Sequence, residues 1–309
     1  MARLKPVYKR ILVPLDGSKT AEHVLPTVRT LAAQLRLPVE LLGVVDTVEL
    51  GRSLATVERF YMDTLVADET RRSGEYLDGI AKSFADAAVR CTVAKGRAAE
   101  VIIESAAADK GTLIMMATHG RSGLNRFMLG SVAEKVLRGT ANPLLLVRAT
   151  EAAKVEGEAA VQSIIVPLDG SELAETVLPA VVELAKQLDL EVKLFRAYAI
   201  PYGAYTTGDG FYDPVNLEAF LARLRAETVD YLEMKTAELK NDGLVKVSYV
   251  AKEGLSADEI IAFGRQTPDN LIAMGTHGYS GVKRWVLGSV TETVVRHSGG
   301  PVLVLRAET

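Results

Sequence analysis

The sequence lacks the second cysteine that a disulfide needs and the basic excess that is usual for a nucleic-acid surface. Its 309 residues include a single cysteine, Cys91, which excludes an intramolecular disulfide and favours a reducing compartment. The apolar segment around Cys91 predicts a strand with a buried thiol. Lysine and arginine number 36 against 39 acidic residues, so the net charge is −3. Because proteins that neutralise nucleic-acid phosphates normally carry a basic excess, we expect no nucleic-acid partner.

Long apolar segments are also missing. No uninterrupted apolar run approaches the roughly 20 residues that span a bilayer. The opening segment "MARLKPVYKR" is polar, unlike a secretory signal. We therefore expect a soluble, cytoplasmic protein with no membrane partner. The histidines are four, His23, His119, His277 and His297, and they show no metal-ligand spacing.

Self-similarity is the strongest feature that the sequence does contain. The segment "ILVPLDGS" at Ile11 returns 153 residues later as "IIVPLDGS" at Ile164. Near the end of each half, "LGSVAEKVL" corresponds to "LGSVTETVV", which follows 158 residues later. Two consecutive copies of one domain explain both matches. We expect a first domain over residues 1–150, a linker over 151–161 and a second domain over 162–309.

Each copy alternates apolar, strand-like runs with helix-like runs. This order predicts an α/β fold, with a parallel sheet and helices on both faces. A helix is predicted over residues 18–35 although it contains Pro26, and Pro179 occupies the equivalent place in the second copy. Because a proline inside a helix costs about 3 kcal/mol, we expect a bend or break at both positions. A longer helix is predicted over 57–87.

A glycine-rich segment follows the fourth predicted strand of each copy. It reads "ATHGRSGLNRFMLGS" at 117–131 and "GTHGYSGVKRWVLGS" at 275–289. Ligands of doubly wound sheets bind at this edge, and the helix N-terminus that follows attracts anions. Ser131 and Ser289, each followed three residues later by glutamate, predict capping boxes. The segment is neither a Walker A motif nor GxGxxG, so anion binding and a purely structural turn both remain open.

The spacing G-x2-G-x9-G-S/T resembles that of the nucleotide-binding members of the universal stress protein family. Gly275, Gly278, Gly288 and Ser289 match it completely, whereas the first copy has Ala117 at the first glycine. The "VPLDGS" segments, the second strands and the closing strands are also similar to this family in both halves. The resemblance implies, for each half, a doubly wound domain with a five-stranded parallel sheet of order 3-2-1-4-5. It also implies ATP at the point where the strand order reverses.

The resemblance further implies which residues surround the nucleotide. The implied residues of the first half are Pro14, Asp16, Val44, Met116, Ala117, Gly120, Gly130, Ser131 and Val132. Those of the second half are Pro167, Asp169, Ala197, Met274, Gly275, Gly278, Gly288, Ser289 and Val290. The resemblance places the aspartates at the adenine and ribose end. It places the second-strand residue and the methionine beside the base. The later glycines, the serine and the valine are implied around the phosphates. Magnesium would arrive with the triphosphate.

Each of these roles has a simpler alternative. Asp-Gly is common turn chemistry, and the methionines could be ordinary core residues. The methyl group of Ala117 impairs the first site if that position needs a positive φ, and is harmless if the backbone there is strand-like. Ala197 leaves more room beside the base than a valine would.

Catalysis is weakly supported by the sequence. His119 and His277 could act as general bases or orient the loop, and Arg126 and Arg284 could reach a phosphate or stay solvated. No paired carboxylates, activated nucleophile or Walker-type lysine stands out for fast hydrolysis. The sequence predicts an ATP-binding, stress-response regulatory protein with little or no turnover. A slow ATPase and a nucleotide-free interaction module are the alternatives.

The closing strands "LLLV" and "VLVL" need cover at the sheet edge. In the universal stress protein family these strands pair across a dimer. The resemblance therefore implies a pseudo-dimer in which copy one pairs with copy two, and a homodimer is a further possible assembly.

Overall fold

The structure, a computed structural model, describes residues 7–48, 59–84, 87–118, 129–148, 157–200, 214–267, 269–276 and 287–306. The strands of the first half are β1 (Arg10–Pro14), β2 (Val39–Val45), β3 (Val89–Lys95), β4 (Thr112–Ala117) and β5 (Leu144–Val147). Its helices are α1 (Leu25–Leu35), α2 (Arg59–Ala81), α3 (Ala98–Ala107) and α4 (Ser131–Gly139).

The second half repeats this order with one additional short helix. Its strands are β6 (Ser163–Pro167), β7 (Glu191–Tyr198), β8 (Val247–Glu253), β9 (Asn270–Gly275) and β10 (Val302–Leu305). Its helices are α5 (Glu172–Glu175), α6 (Leu178–Leu188), α7 (Pro214–Asn241), α8 (Ser256–Gln266) and α9 (Ser289–His297). Over the described part of the chain, none of these helices has both the length and the apolar character needed to cross a bilayer.

All ten strands form one sheet, in the order β3-β2-β1-β4-β5-β10-β9-β6-β7-β8. Within each half the neighbouring strands are parallel, so each half has the predicted order 3-2-1-4-5. The predicted α/β class is confirmed. The two halves meet where β5 and β10 pair in the antiparallel direction, with Leu145 opposite Leu303. We call this pairing the seam.

Two hydrophobic layers cover the sheet, one on each face. Successive strand residues point to opposite faces, so Leu145 and Leu303 join the layer beneath α1, α2 and α6. Their neighbours Leu146 and Val302 join the layer beneath α3, α4, α8 and α9. Both layers run through both halves. Burying one such aliphatic side chain contributes about 1.5–3 kcal/mol, so the seam is part of the core.

The two prolines interrupt their helices, as predicted. A 3-10 turn at Ala21–Val24 precedes α1, and Pro26 lies in the first turn of that helix. In the second half α5 precedes α6, and Pro179 lies in the first turn of α6. The first turn of a helix has backbone donors without intrahelical partners, so a proline is tolerated there.

The predicted capping boxes are wrong. The helices α4 and α9 begin at Ser131 and Ser289 themselves, and their N-caps are Gly130 and Gly288. Among the described residues, neither helix has a side-chain hydrogen bond to its cap. Each helix thus begins one residue earlier than the pattern suggested. The serine oxygens are consequently not committed to capping.

Cys91 lies on β3 and is half-buried, whereas the sequence predicted a buried thiol. Burial raises the pKa of this thiol, and a hydrogen bond with Asp78 raises it further. A raised pKa leaves less thiolate at neutral pH, so the side chain is a poor nucleophile. The Cys91 side chain packs against the hydrophobic layer beneath α1 and α2, which is a structural role.

The end of the predicted linker packs against α1. The backbone N–H of Ala159 donates to the carbonyl of Pro26 at 3.3 Å. The Thr30 hydroxyl donates to the carbonyl of Ala159 at 2.7 Å, and Arg29 donates to the carbonyl of Gly157 at 3.0 Å. The chain therefore enters β6 along a surface of the first half.

Two arginines at the ends of the seam strands reach across to the other half. Arg148 donates to the carbonyl of His297, at the C-terminus of α9, at 3.4 Å. Arg306 donates to the carbonyl of Leu137, near the C-terminus of α4, at 3.1 Å. Helix C-termini carry partial negative charge, so both contacts are favourable. Each half thus donates an arginine to the C-terminal part of a helix in the other half.

A ring of four charges joins α4 and α9 beside the seam. Arg138 lies 3.2 Å from Glu134 on its own helix and 3.5 Å from Glu292 on the other. Arg296 lies 2.8 Å from Glu292 and 3.9 Å from Glu134. Each arginine thus contacts both carboxylates. The side chains are half-buried, so we expect only modest stabilisation from each pair, about 0–1 kcal/mol.

Candidate functional site

The carboxyl ends of β1, β2 and β4 enclose a cavity of about 750 Å³ with the N-terminus of α4. It lies between β1 and β4, where the strand order of the first half reverses. Parallel α/β sheets bind ligands at this position. The volume falls within the range of about 300–1,000 Å³ that is usual for small-molecule sites. We call it the first crevice.

The structure brings together the predicted site residues that it describes in the first half. All of them line the first crevice, namely Pro14, Asp16, Val44, Met116, Ala117, Gly130, Ser131 and Val132. Gly120 lies outside the described residues, as do the alternative catalytic residues His119 and Arg126. The residues that cluster therefore come from the ends of β1 and β2 and from the two ends of the glycine-rich segment.

Asp16 organises the turn between β1 and the 3-10 turn. One of its carboxylate oxygens accepts the backbone N–H of Ser18 at 3.0 Å and the Ser18 hydroxyl at 2.6 Å. Gly17 between them has φ of 80°, a conformation that glycine adopts without strain. Asp16 therefore has the turn-forming role that was one of its two interpretations from the sequence. Asp16 also lines the first crevice, so turn formation and ligand contact are compatible.

One wall of the first crevice is apolar. Val44 comes from β2 and packs on the layer beneath α3 and α4, and Met116 comes from β4 and is 7% exposed. Leu42 and Ile102 complete this wall. Such a surface suits the flat, weakly polar face of a ring system. The methionine belongs at once to the core and to the crevice, which unites the two interpretations of its sequence position.

The opposite wall is the beginning of α4. The first backbone N–H groups of a helix have no intrahelical acceptor, and here they belong to Ser131, Val132 and Ala133. All three residues line the crevice. The loop is closed at its base because the N–H of Gly130 donates to the carbonyl of Thr118 at 2.7 Å. An anion placed here would meet free donors and the positive end of the helix dipole.

Ala117 is the last residue of β4 and lies in register with Val147 on β5. Its backbone is therefore strand-like, the case in which an alanine does not strain the loop. We predict that Ala117→Gly changes the affinity of the first crevice for ATP by less than about threefold. Titration of a variant that also carries Gly288→Val isolates this crevice. A tenfold gain in affinity would show instead that the methyl group obstructs the ligand.

Sequence reasoning missed the contribution of α2. Glu69, Arg72, Ser73 and Tyr76 line the first crevice from this helix. The hydroxyl of Tyr76 donates to Glu22 at 3.3 Å. A signal was present, because the second copy also places a tyrosine and a glutamate at the corresponding positions. Comparison of the long helices, and not only of the loops, would have found it.

The second half places its predicted residues at the corresponding points of the fold. Asp169 accepts the N–H and hydroxyl of Ser171 at 2.9 and 2.6 Å, as Asp16 does for Ser18. The described members of the set are Pro167, Asp169, Ala197, Met274, Gly275, Gly288, Ser289 and Val290. Gly288 donates its N–H to the carbonyl of Thr276 at 2.7 Å, which closes the second loop in the same way. Gly278, His277 and Arg284 lie outside the described residues.

The tyrosine and glutamate of the second half are linked more tightly than those of the first. The Tyr231 hydroxyl donates to Glu175 at 2.7 Å, and Lys235 lies 2.8 Å from the other oxygen of this carboxylate. Burial raises the pKa of Tyr231, and the hydrogen bond to Glu175 raises it further. This hydroxyl therefore stays protonated and serves as a fixed donor.

Within the described ranges, no three His, Cys, Asp or Glu residues lie close enough together to hold a metal ion. A magnesium ion at the first crevice would thus need phosphate oxygens for much of its coordination.

Comparison with known proteins gives one family. The sequence model of the Universal stress protein family matches this chain twice, over residues 7–148 and 160–306. A universal stress protein of Methanocaldococcus jannaschii is 30% identical over 150 residues, which are 48% of this chain and 85% of that protein. One of Bacillus subtilis is 28% identical over 144 residues, 46% of this chain and 97% of that protein.

A solved structure that spans nearly the whole chain shows the same fold. A universal stress protein from Archaeoglobus fulgidus superposes with a TM-score of 0.70 at 20% identity, covering 97% of this chain and 98% of that one. A universal stress protein solved in complex with cAMP matches 46% of this chain and 98% of its own, with 17% identity and a TM-score of 0.32.

Proposed function

Because this chain belongs to the universal stress protein family, we propose that it is a cytoplasmic, stress-response regulatory protein that binds ATP. It has one nucleotide site in each half and little or no turnover. The two domains, 1–150 and 162–309, are joined by the linker 151–161 and act as a pseudo-dimer across the seam.

One observation carries this proposal. The first crevice combines an apolar wall, which includes Met116 on β4, with the helix N-terminus at Ser131. An adenine ring fits against Val44 and Met116, and phosphates fit at the free N–H groups of Ser131 and Val132. The turn at Asp16 stands between them, on the ribose side. Magnesium, when present, is held largely by the triphosphate.

The second site is proposed from its equivalent framework. The turn at Asp169, the loop closure at Gly288 and the start of α9 at Ser289 repeat the first half. Ala197 replaces the valine beside the base. The two sites are thus alike at the phosphate end and differ around the base and ribose.

Little turnover is proposed because Asp16, an acidic residue of the proposed site, already has a structural role. Asp16 is engaged in its turn, and its hydrogen bonds to Ser18 hold both groups in a structural role. A water-activating group would have to come from outside this set. Slow hydrolysis by His119 or His277 is therefore an outcome of the test below.

The test is to denature the purified full chain and to identify and count the nucleotide that is released. We expect ATP to be retained, up to two per chain after incubation with labelled ATP. Accumulation of labelled ADP that stops in a His119→Ala or His277→Ala variant would show an ATPase. Failure to retain any nucleotide would overturn the proposal in favour of an interaction module.

A further inference from the structure

The two halves differ at one strand position beside the candidate sites. β2 carries Gly43 where β7 carries Arg196. Each lies one residue before the position proposed to contact the base, Val44 in the first half and Ala197 in the second. Successive strand residues point to opposite faces, so Gly43 and Arg196 face the long helices α2 and α7.

In the first half this position carries no side chain, because the residue is Gly43. A Cβ atom at Gly43 would lie 2.2 Å from the hydroxyl oxygen of Ser73, which shows how closely α2 approaches the strand. Ser73 and Tyr76 line the first crevice, together with Gly17 in the turn after Asp16. The first crevice thus extends past the aspartate turn to the face of α2.

In the second half a guanidinium fills the corresponding space. Arg196 lies over the ring of Tyr231, with 4.7 Å from the guanidinium carbon to the ring centroid. A Cβ atom at Gly170 would lie 3.0 Å from one of its terminal nitrogens. Gly170 and Tyr231 correspond to Gly17 and Tyr76, which border the first crevice. The guanidinium is therefore sandwiched between two groups that leave an opening in the first half.

The guanidinium is held in this position. A cation over a tyrosine ring is attracted by the ring electrons. The ring is fixed in turn, because its hydroxyl donates to Glu175 and Glu175 pairs with Lys235. Thr228, the counterpart of Ser73 on α7, is buried at 3% exposure. A ligand would have to break this stack in order to enter.

We infer that Arg196 determines ligand size in the second site: the first site admits an adenine nucleotide with a bulky substituent on its ribose, and the second excludes it. This rests on the proposed function, which places the ribose beside Asp16 and Asp169. Gly17 and Gly170 directly follow these aspartates, so the open space and the guanidinium stand on the ribose side.

The experiment compares ATP with its N-methylanthraniloyl ribose ester by equilibrium dialysis against the full chain. We expect two ATP but one ester per chain. The bound ester should be lost in Gly130→Val and kept in Gly288→Val, which assigns it to the first half. Arg196→Gly, which installs the residue of the first half, should bind two esters, with the affinity of the second site raised at least about tenfold.

Two further variants test the cause. Arg196→Lys keeps a long cationic side chain that can lie over the Tyr231 ring, and this variant should still bind one ester. Gly43→Arg combined with Ser73→Ala should keep two ATP and lose the ester. This variant acts on the other half, so it tests the inference even if Arg196→Gly folds poorly.

The results separate the inference from the proposed function. Two ATP and two esters on the unaltered chain would overturn the inference alone. Admission of the ester by Arg196→Lys would overturn it as well, since a long side chain held over the same ring would then not be the barrier. No binding of either nucleotide would overturn the proposed function and the inference together.

Discussion

Gly288→Val should remove one of the two ATP molecules that we expect each chain to bind. Gly288 is the N-cap of α9 and directly precedes the free N–H groups proposed to hold the phosphates. Its backbone, with φ −61° and ψ 140°, is open to any residue, so valine introduces no backbone strain. The isopropyl group instead fills the space that the phosphates need. We expect the affinity of this site to fall at least about 100-fold, measured as a stoichiometry of one by equilibrium dialysis.

Two variants serve as controls for this result. Gly130→Val makes the same change at the N-cap of α4 and should remove the other ATP, and the double variant should bind none. Gly79→Val lies on α2, where an added Cβ meets no atom within 4 Å, and should keep both. A stoichiometry that stays at two in Gly288→Val would place the phosphates elsewhere.

Leu303→Ala should have the largest effect on stability. Leu303 lies in the seam opposite Leu145 and is 1% exposed. Truncation of such a buried leucine leaves a cavity, because the two strands on either side of it cannot close over the gap. We expect the free energy of unfolding to fall by about 2–5 kcal/mol, measured by urea denaturation of the full chain.

The matched control is Val245→Ala, since Val245 is 88% exposed. Removal of its methyl groups should change the free energy of unfolding by less than about 0.5 kcal/mol. A loss below 1 kcal/mol in Leu303→Ala would mean that the halves do not share a packed core at this point.

The fold could be predicted from the sequence because its signals are local and repeated. Strands buried on both faces are continuous apolar runs, and "ILVPLD" and "TLIMMA" show this without ambiguity. The prolines predicted their helix breaks, because the effect of proline is confined to its own turn. The duplication then supported each element twice.

The site was less predictable, and the reasons are geometric. Residues near the glycine-rich loops and the aspartate turns could be named from the motif. The lining from α2 belongs to no motif. Comparison of the two long helices singles out the shared tyrosine, but helical periodicity does not show which turn stands over the strand ends. The capping boxes failed for a similar reason. The pattern Ser131 to Glu134 fits a cap, and the path of the loop decides which residue occupies that position.

The Gly43 and Arg196 difference is visible in the aligned halves, yet its meaning is not. A lone arginine in a strand normally extends into solvent. Only the positions of Gly170 and Tyr231 show that this one is folded back between a turn and a ring.

The seam is formed by strands of a single polypeptide, and this has consequences for concentration and for divergence. Closure within one chain does not depend on encounter between molecules, so dilution cannot separate the halves. In a symmetric dimer of identical chains, each substitution in the contact surface appears on both sides of the contact and must be compatible with itself. Here each half faces a covalently attached relative, and a change in one needs no matching change in the other. The two halves can therefore diverge separately while they stay joined at the seam.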